Sequence, residues 1–237
     1  MDPLGRMEQM GDPRLENIVS AYERRSSIEH LYDPLRPVNV RMNLERGRIQ
    51  ADLIRQWLET KALADMDILE IGCGTGNNIL NLITLGADPR RIVANDLIQG
   101  RIETAVSRLP NTVRFYQGDA SRLPDEFGSF DLIVQFVVFS SILDDNLLEM
   151  LARRIWTALR PGGAILSYDF TINNPSNPDV RGISVGKLKS LFPEGEFTLR
   201  RLTVAPPVAR RLSPKLYPVL AMVPFLKTHC LCLVRKP

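Results

Sequence analysis

In this 237-residue chain, the residues best suited to chemistry by type and spacing are Glu70-Ile71-Gly72-Cys73-Gly74-Thr75-Gly76. Glycine fits a backbone that turns tightly or approaches a ligand closely. A helix opening after such a loop offers free N–H groups and a partial positive charge. Asn77 can cap that helix. The bland reading is a tight strand-to-helix turn with no ligand. Two further acids weigh against it. Asp96 stands 20 residues past Gly76 and can accept hydrogen bonds from both hydroxyls of a ribose. Asp119, in Gly118-Asp119-Ala120, is placed to accept a bond from an adenine amino group. Either acid alone reads as a helix cap or a solvated loop residue. Three acids after three successive strand ends point to a bound ligand.

The elements that must carry these residues follow from the apolar pattern. Asp67–Ile71, Arg91–Ala94 and Thr112–Tyr116 read as short strands. Phe130–Val138 is almost continuously apolar, as a central parallel strand is. Ala164–Phe170 is a fifth strand. Helices are expected at Ile79–Ile83, Gln99–Leu109 and Leu147–Leu159, the last ended by Arg160-Pro-Gly-Gly163. Strands alternating with helices give a parallel sheet covered on both faces. A helical segment from Glu16 to about Glu59 precedes them, broken around Asp33-Pro34 and Pro37. After them come a short helix, Val185–Leu191, and two strands, Phe197–Val204 and Thr228–Val234. An insertion over residues 205–227 joins those strands.

Composition bounds the rest. Hydrophobic residues make up 44% and charged residues 24%, which excludes a disordered or collagen-like chain. The net charge of +3 hides a split. No Asp or Glu follows Glu196, so the last 41 residues carry +8 and the rest −5. Three cysteines, Cys73, Cys230 and Cys232, form no disulfide framework, and the last two read as same-face residues of one strand. The N-terminus lacks the apolar core of a signal peptide, and no apolar run is long enough to span a bilayer. A protein of the reducing cytoplasm is expected.

In the order of its motifs the chain resembles the class I S-adenosylmethionine (SAM) dependent methyltransferases. The matching stretches are DILEIGCGTGNN at 67–78, ANDL at 94–97, QGDASRLP at 117–124, FDLIVQFVVFSSI at 130–142 and LRPGGAILSYDF at 159–170. The E-x-G-x-G-x-G form differs from the G-x-G-x-x-G of dinucleotide dehydrogenases. The resemblance implies a Rossmann-like α/β fold, a seven-stranded sheet with its last strand antiparallel and helices on both faces. It implies a methyltransferase domain over residues 61–237 behind an N-terminal helical cap over residues 1–60. It also implies SAM as cofactor. Glu70 would steady the loop and face the amino group of the methionine part. Gly72, Cys73 and Gly74 would line that part, with Gly76 and Asn77 where the helix starts. Asp96 would hold the ribose and Leu97 would stack beside the adenine. Asp119 and the N–H of Ala120 would read the adenine edge. Gln135 and Phe136 would border the sulfonium, and Asp131 would be structural.

The acceptor is read from what surrounds this frame. An alcohol must lose a proton to a base, whereas an amine needs only to be neutral. His30, Asp169 and His229 are the candidate catalytic residues, though a lone His is more often structural or solvated. Tyr22, Arg25 and Tyr32 in the cap, with Tyr168, Asn173 and Asn174 after the fifth strand, are candidate substrate contacts. So are Arg210 and Arg211 in the insertion, which topology sets at the ligand side. The chain lacks the Asn/Asp-Pro-Pro-aromatic motif of amino-group methyltransferases after the fourth strand, and no metal site is evident. These features point to methylation of a small-molecule, sugar or glycolipid acceptor at oxygen. An N-methyltransferase acting on an amine or protein is the alternative, and a SAM-binding partner without catalysis a further one. Nucleic acid is not expected as a partner, because aromatic and basic residues do not interleave. A small molecule, a glycan or a lipid-linked substrate is, and the basic-apolar insertion offers peripheral membrane contact.

Overall fold

The computed structural model describes residues 12–24, 30–174 and 177–237. Seven strands form one sheet: β1 (Ile68–Ile71), β2 (Ile92–Asp96), β3 (Arg114–Gln117), β4 (Phe130–Phe136), β5 (Leu159–Phe170), β6 (Glu196–Val204) and β7 (Lys227–Arg235). Their order is β3-β2-β1-β4-β5-β7-β6. The first five run parallel, and β7 lies antiparallel between β5 and β6. This is the expected fold. It follows from strands such as Ile68-Leu-Glu-Ile71, which bury every residue and must be covered on both faces.

The helices supply that cover. On one face lie α2 (Pro37–Leu58), α3 (Asn77–Thr84) and α4 (Gln99–Arg108). Ile49, Leu53 and Leu58 of α2 join Ile79, Leu82, Ile102 and Ala105 in one core with Leu132, Val134 and Leu166 of the sheet. Because α2 belongs to that core, packing does not break at residue 60, where the cap was set off from the domain. On the other face lie α1 (Pro13–Arg24), α5 (Asp145–Ala158) and α6 (Val185–Leu191). Leu147, Leu151 and Ile155 of α5 pack there on Leu69, Ile133 and Ile165. Asp144 starts α5 by accepting the Leu147 N–H at 2.7 Å.

Two local readings change. Leu159 already pairs with Phe130, so β5 begins where a helix end was expected. Residues 160–163 then bulge out before Ala164 pairs with Leu132, with Gly162 at φ 74°. Asn77 does not cap α3. Gly76, at φ 85°, holds the cap position, and the Asn77 side-chain amide oxygen instead accepts from Arg108 at 2.8 Å. Asp131 is structural as expected, accepting the Asp67 N–H at 2.8 Å and an Arg160 N–H at 2.6 Å. Cys230 and Cys232 are alternate, buried residues of β7.

The insertion leaves β6 at the C-terminal end of the parallel strands. The Ala205 N–H donates to the Leu226 carbonyl at 2.9 Å and closes its base. Between them stand α7 (Pro206–Arg211) and α8 (Tyr217–Leu220). Tyr217 and Ala209 bury against Val38 and Met42 of α2. Glu45 of α2 fastens the joint. One of its oxygens accepts the Thr203 N–H at 3.0 Å and the Tyr217 hydroxyl at 2.7 Å, and the other lies 3.4 Å from the Lys227 ammonium. Glu45→Ala leaves three donors short of an acceptor, a cost of about 1–3 kcal/mol. Amide exchange is expected to quicken over 203–227 while β1 and β4 keep their protection. Unchanged exchange in the insertion would assign the anchoring to apolar contact alone.

Candidate functional site

Beyond the C-terminal ends of β1, β2 and β4 the chain encloses a cleft of about 650 Å³, its open mouth included. Ile71 and Gly72, where the glycine loop begins, form part of one wall. Gly72, Gly74 and Gly76 have φ values of 67°, 55° and 85°, a region costly for residues with a Cβ. A Cβ on Gly72 would also fall 2.4 Å from the Val138 side chain. Asp96 holds this wall in place. Its carboxylate accepts the Gly74 N–H at 2.8 Å and the Ile98 N–H at 2.9 Å. Burial pushes its pKa up, against those hydrogen bonds. The Cys73 N–H donates to the Asn95 carbonyl at 2.8 Å, and the Asn95 amide donates to the Gly118 carbonyl at 2.9 Å. Asp96 and Asp119 are thereby set along one edge of the cleft, with Leu97 and Ala120. Asp119 also caps a short turn, accepting from the Ser121 N–H and hydroxyl.

The opposite wall is the turn after β4. Val137 sits at φ 63°, a strained conformation for a β-branched residue. Its N–H donates to the Tyr168 carbonyl at 2.7 Å, and its carbonyl accepts the Ser141 hydroxyl at 2.9 Å. Gln135 is fully buried beneath. It accepts the Val138 N–H and donates to Asp169 at 2.7 Å, and Asp169 in turn accepts the Ser140 N–H at 3.2 Å. Gln135 and Asp169 therefore shape the turn from inside and do not line the cleft. Burial pushes the Asp169 carboxyl up to about 6. Helix α1 forms the roof through Leu15, Ile18 and Tyr22. The Tyr22 hydroxyl lies 3.1 Å from that of Ser141, and the Arg101 guanidinium lies 4.2 Å from the Tyr22 ring.

A second group of side chains sits on the α2 face of the sheet end. Glu70 is fully buried. One oxygen accepts from Asn78 at 2.8 Å, and the other has no partner. Burial pushes its carboxyl up to about 8. Arg46 of α2 lies 5.5 Å from the Phe136 ring and 5.3 Å from the Tyr168 ring. Among the described residues it makes no hydrogen bond or ion pair. His229 stacks on Tyr168 with ring centres 5.2 Å apart, and its Nδ1 lies 3.1 Å from the Thr228 hydroxyl. Burial, then the charge of Arg46, holds its imidazole down to about 4.

Residues 68–163 match the family model of a methyltransferase domain. That stretch of the chain is a methyltransferase domain. A stretch of 115 residues is 31% identical to tRNA N(3)-cytidine methyltransferase METTL2 of Gallus gallus, covering 45% of this chain and 31% of that protein. Another, of 111 residues, is 28% identical to demethylmenaquinone methyltransferase of Lactococcus lactis, covering 45% and 43%. The chain thus spans less than half the length of these curated relatives. Among solved structures, the N-methyltransferase NodS of Bradyrhizobium japonicum, in complex with S-adenosylhomocysteine, superposes with a TM-score of 0.62. It shares 19% identity over 93% of this chain and 99% of that one, which speaks for the fold.

The residues of the methyltransferase domain fit SAM. The unpartnered Glu70 oxygen suits an ammonium and, among the described residues, the unpaired Arg46 guanidinium suits a carboxylate. Asp96 borders the cleft where an adenosine would lie. When bound, SAM supplies an electrophilic methyl group on a sulfonium.

The remaining expected residues divide. Tyr22 and Tyr168 reach the site region. His30 is exposed in a turn before α2 with no described contact, and Asp169 and His229 lie on opposite faces of the sheet. The three catalytic candidates are therefore not brought together. Asn173 ties its own loop by accepting the Gly182 N–H, and the Asn174 carbonyl accepts the Asn177 N–H. Tyr32 lies under the Arg210 guanidinium at 5.1 Å, Arg211 is exposed, and Arg25 lies outside the described residues. Among the described residues no three His, Cys, Asp or Glu gather to hold a metal, and no helix is long and apolar enough to cross a membrane. Arg46, Arg101, Val138 and Ser141 were missed. Arg46 had a signal: with Met42, Ile49 and Leu53 it falls on the helix stripe that faces the core.

The raised Glu70 carboxyl carries a pH signature. A group held neutral in the fold costs stability as pH climbs from its unfolded value of 4.5 to its folded value of about 8. Glu70→Gln is expected to melt progressively higher than the parent across that window in the absence of cofactor, and to bind SAM more weakly. A melting difference that does not vary with pH would contradict this placement.

Proposed function

We propose that the chain transfers the methyl group of SAM to an oxygen of an anionic small-molecule, sugar or glycolipid acceptor. The observation that carries this reading is the placement of the insertion. It stands at the same sheet end as the cofactor cleft and contributes Arg210, Arg211 and Lys215 without one acidic residue. On the α2 face of the same sheet end stand Phe136, Tyr168 and His229, which an acceptor would have to reach. Positioning a nucleophile against the methyl group supplies much of the rate. An alcohol must also lose its proton, and His229, unprotonated at neutral pH, can accept it. An anion bound by Arg46 lifts one of the two influences that hold this imidazole low, and so makes it a better base.

A second reading has an observation of its own, the likeness to tRNA N(3)-cytidine methyltransferases. It would make the acceptor a ring nitrogen of a nucleic acid. That likeness covers less than half of this chain. Of the insertion's two aromatic residues Tyr217 is buried and Phe225 alone is exposed, which gives bases little to stack on.

Incubating the purified chain with cell extract and labelled SAM, then identifying the labelled product by mass spectrometry, separates the readings. A labelled anionic small molecule or glycolipid is the expected product. With it, His229→Gln should lower kcat by about 10²–10⁴ and leave cofactor affinity unchanged. Labelled RNA would favour the second reading. No labelled product, with cofactor affinity intact, would favour a binding role without catalysis.

A further inference from the structure

The insertion has two apolar sides, and the fold uses only one. Tyr217 is buried, and Leu220 and Leu226 pack beside it against the α2 side. Leu216, Val219, Met222 and Phe225 recur at every third position and point outward. Their exposures are 47%, 61%, 80% and 79%. Folding gains nothing from four large apolar side chains left in water, and a contiguous patch of this kind marks a contact surface. Prolines 206, 207, 214, 218 and 224 stiffen the segment, and Glu45 clamps it to α2. The patch is therefore held outward by a fixed scaffold.

Charge indicates the occupant. Arg211 and Lys215 are exposed at the start of this run, and among the described residues neither has an acidic partner. No acid follows Glu196 anywhere in the chain. Apolar side chains flanked by unpaired cations are what an anionic bilayer surface binds, through its acyl boundary and its headgroups together. An RNA would meet the cations but leave Leu216, Val219 and Met222 in water. We propose that the insertion docks the protein on an anionic lipid surface, with the acceptor side of the site turned toward it. This deepens the reading of a lipid-linked acceptor and rests on it for the biological role, but its test involves no methyl transfer.

The full chain is mixed with vesicles of phosphatidylcholine alone, or of an equal mixture with phosphatidylglycerol, and bound protein is measured by co-sedimentation. Binding is expected to the anionic vesicles and to weaken with salt. Replacing Arg211 and Lys215 by Ser should reduce it about thirtyfold, two surface charges' worth. Replacing Met222 and Phe225 by Ser should reduce it at least as far. Each variant should bind S-adenosylhomocysteine like the parent, because these side chains are exposed and support no core. Absent vesicle binding, or binding indifferent to both pairs of substitutions, overturns the proposal. So does binding of a tRNA, in place of vesicles, that the same substitutions weaken. Vesicle binding without a lipid-linked methylation product would leave docking standing and remove the proposed acceptor.

Discussion

A carboxyl group without access to water must stay neutral or find a cation, and Glu70 is in that position. It is the next-to-last residue of β1, on the α2 side, where Asn78 satisfies one oxygen and, among the described residues, nothing satisfies the other. Arg46 presents the opposite imbalance nearby, a guanidinium over two aromatic rings with no hydrogen-bonded anion among the described residues. Buried groups left unpaired cost stability, and they persist where a ligand completes them. An amino acid carries both missing partners, an ammonium and a carboxylate. The adenosine end is provided for separately, by a cleft that Asp96 organises through its bonds to Gly74 and Ile98. The sheet end thus carries a preformed cleft on its α1 side and, on its α2 side, a charged pair that waits for its complement.

Much of this could be read in the sequence because it is local. The glycines must take positive φ, the acids must follow strand ends, and central strands must be apolar throughout. Those constraints gave the seven strands, the helices between the parallel ones and the positive-φ turn after β1. What could not be read depends on contacts between distant segments. Gln135 looked like a cofactor contact because it ends β4, yet strand alternation turns it inward to hold the Val138 turn. Asp169 looked catalytic for the same reason and serves the same turn. Val137 at φ 63° has no sequence signal, since no β-branched residue prefers that conformation. Arg46 faces the sheet end because α2 packs into the core and does not stand apart as a cap.

The uneven charge of the chain also has a structural meaning. The acids of the cofactor region organise loops: Asp96 the glycine loop, Asp119 a turn, Asp131 the base of the sheet. The cations after Glu196 include a set carried on an insertion beside the site. Glu45 links the two regions, an acid of the body holding Tyr217 and Lys227 of the basic end. The cofactor-binding frame and the segment proposed to meet the acceptor are therefore mechanically one unit.

The most direct test of the complementary charged end compares two ligands that share the adenosine. S-adenosylhomocysteine has the amino-acid end and methylthioadenosine lacks it. Two charge-assisted contacts of about 1.5 kcal/mol or more each imply a difference of at least about a hundredfold in affinity, measured by calorimetry. The parent chain is expected to show that preference, and a chain carrying Arg46→Leu with Glu70→Gln is expected to lose most of it. Equal affinity of the parent for both ligands would contradict the account.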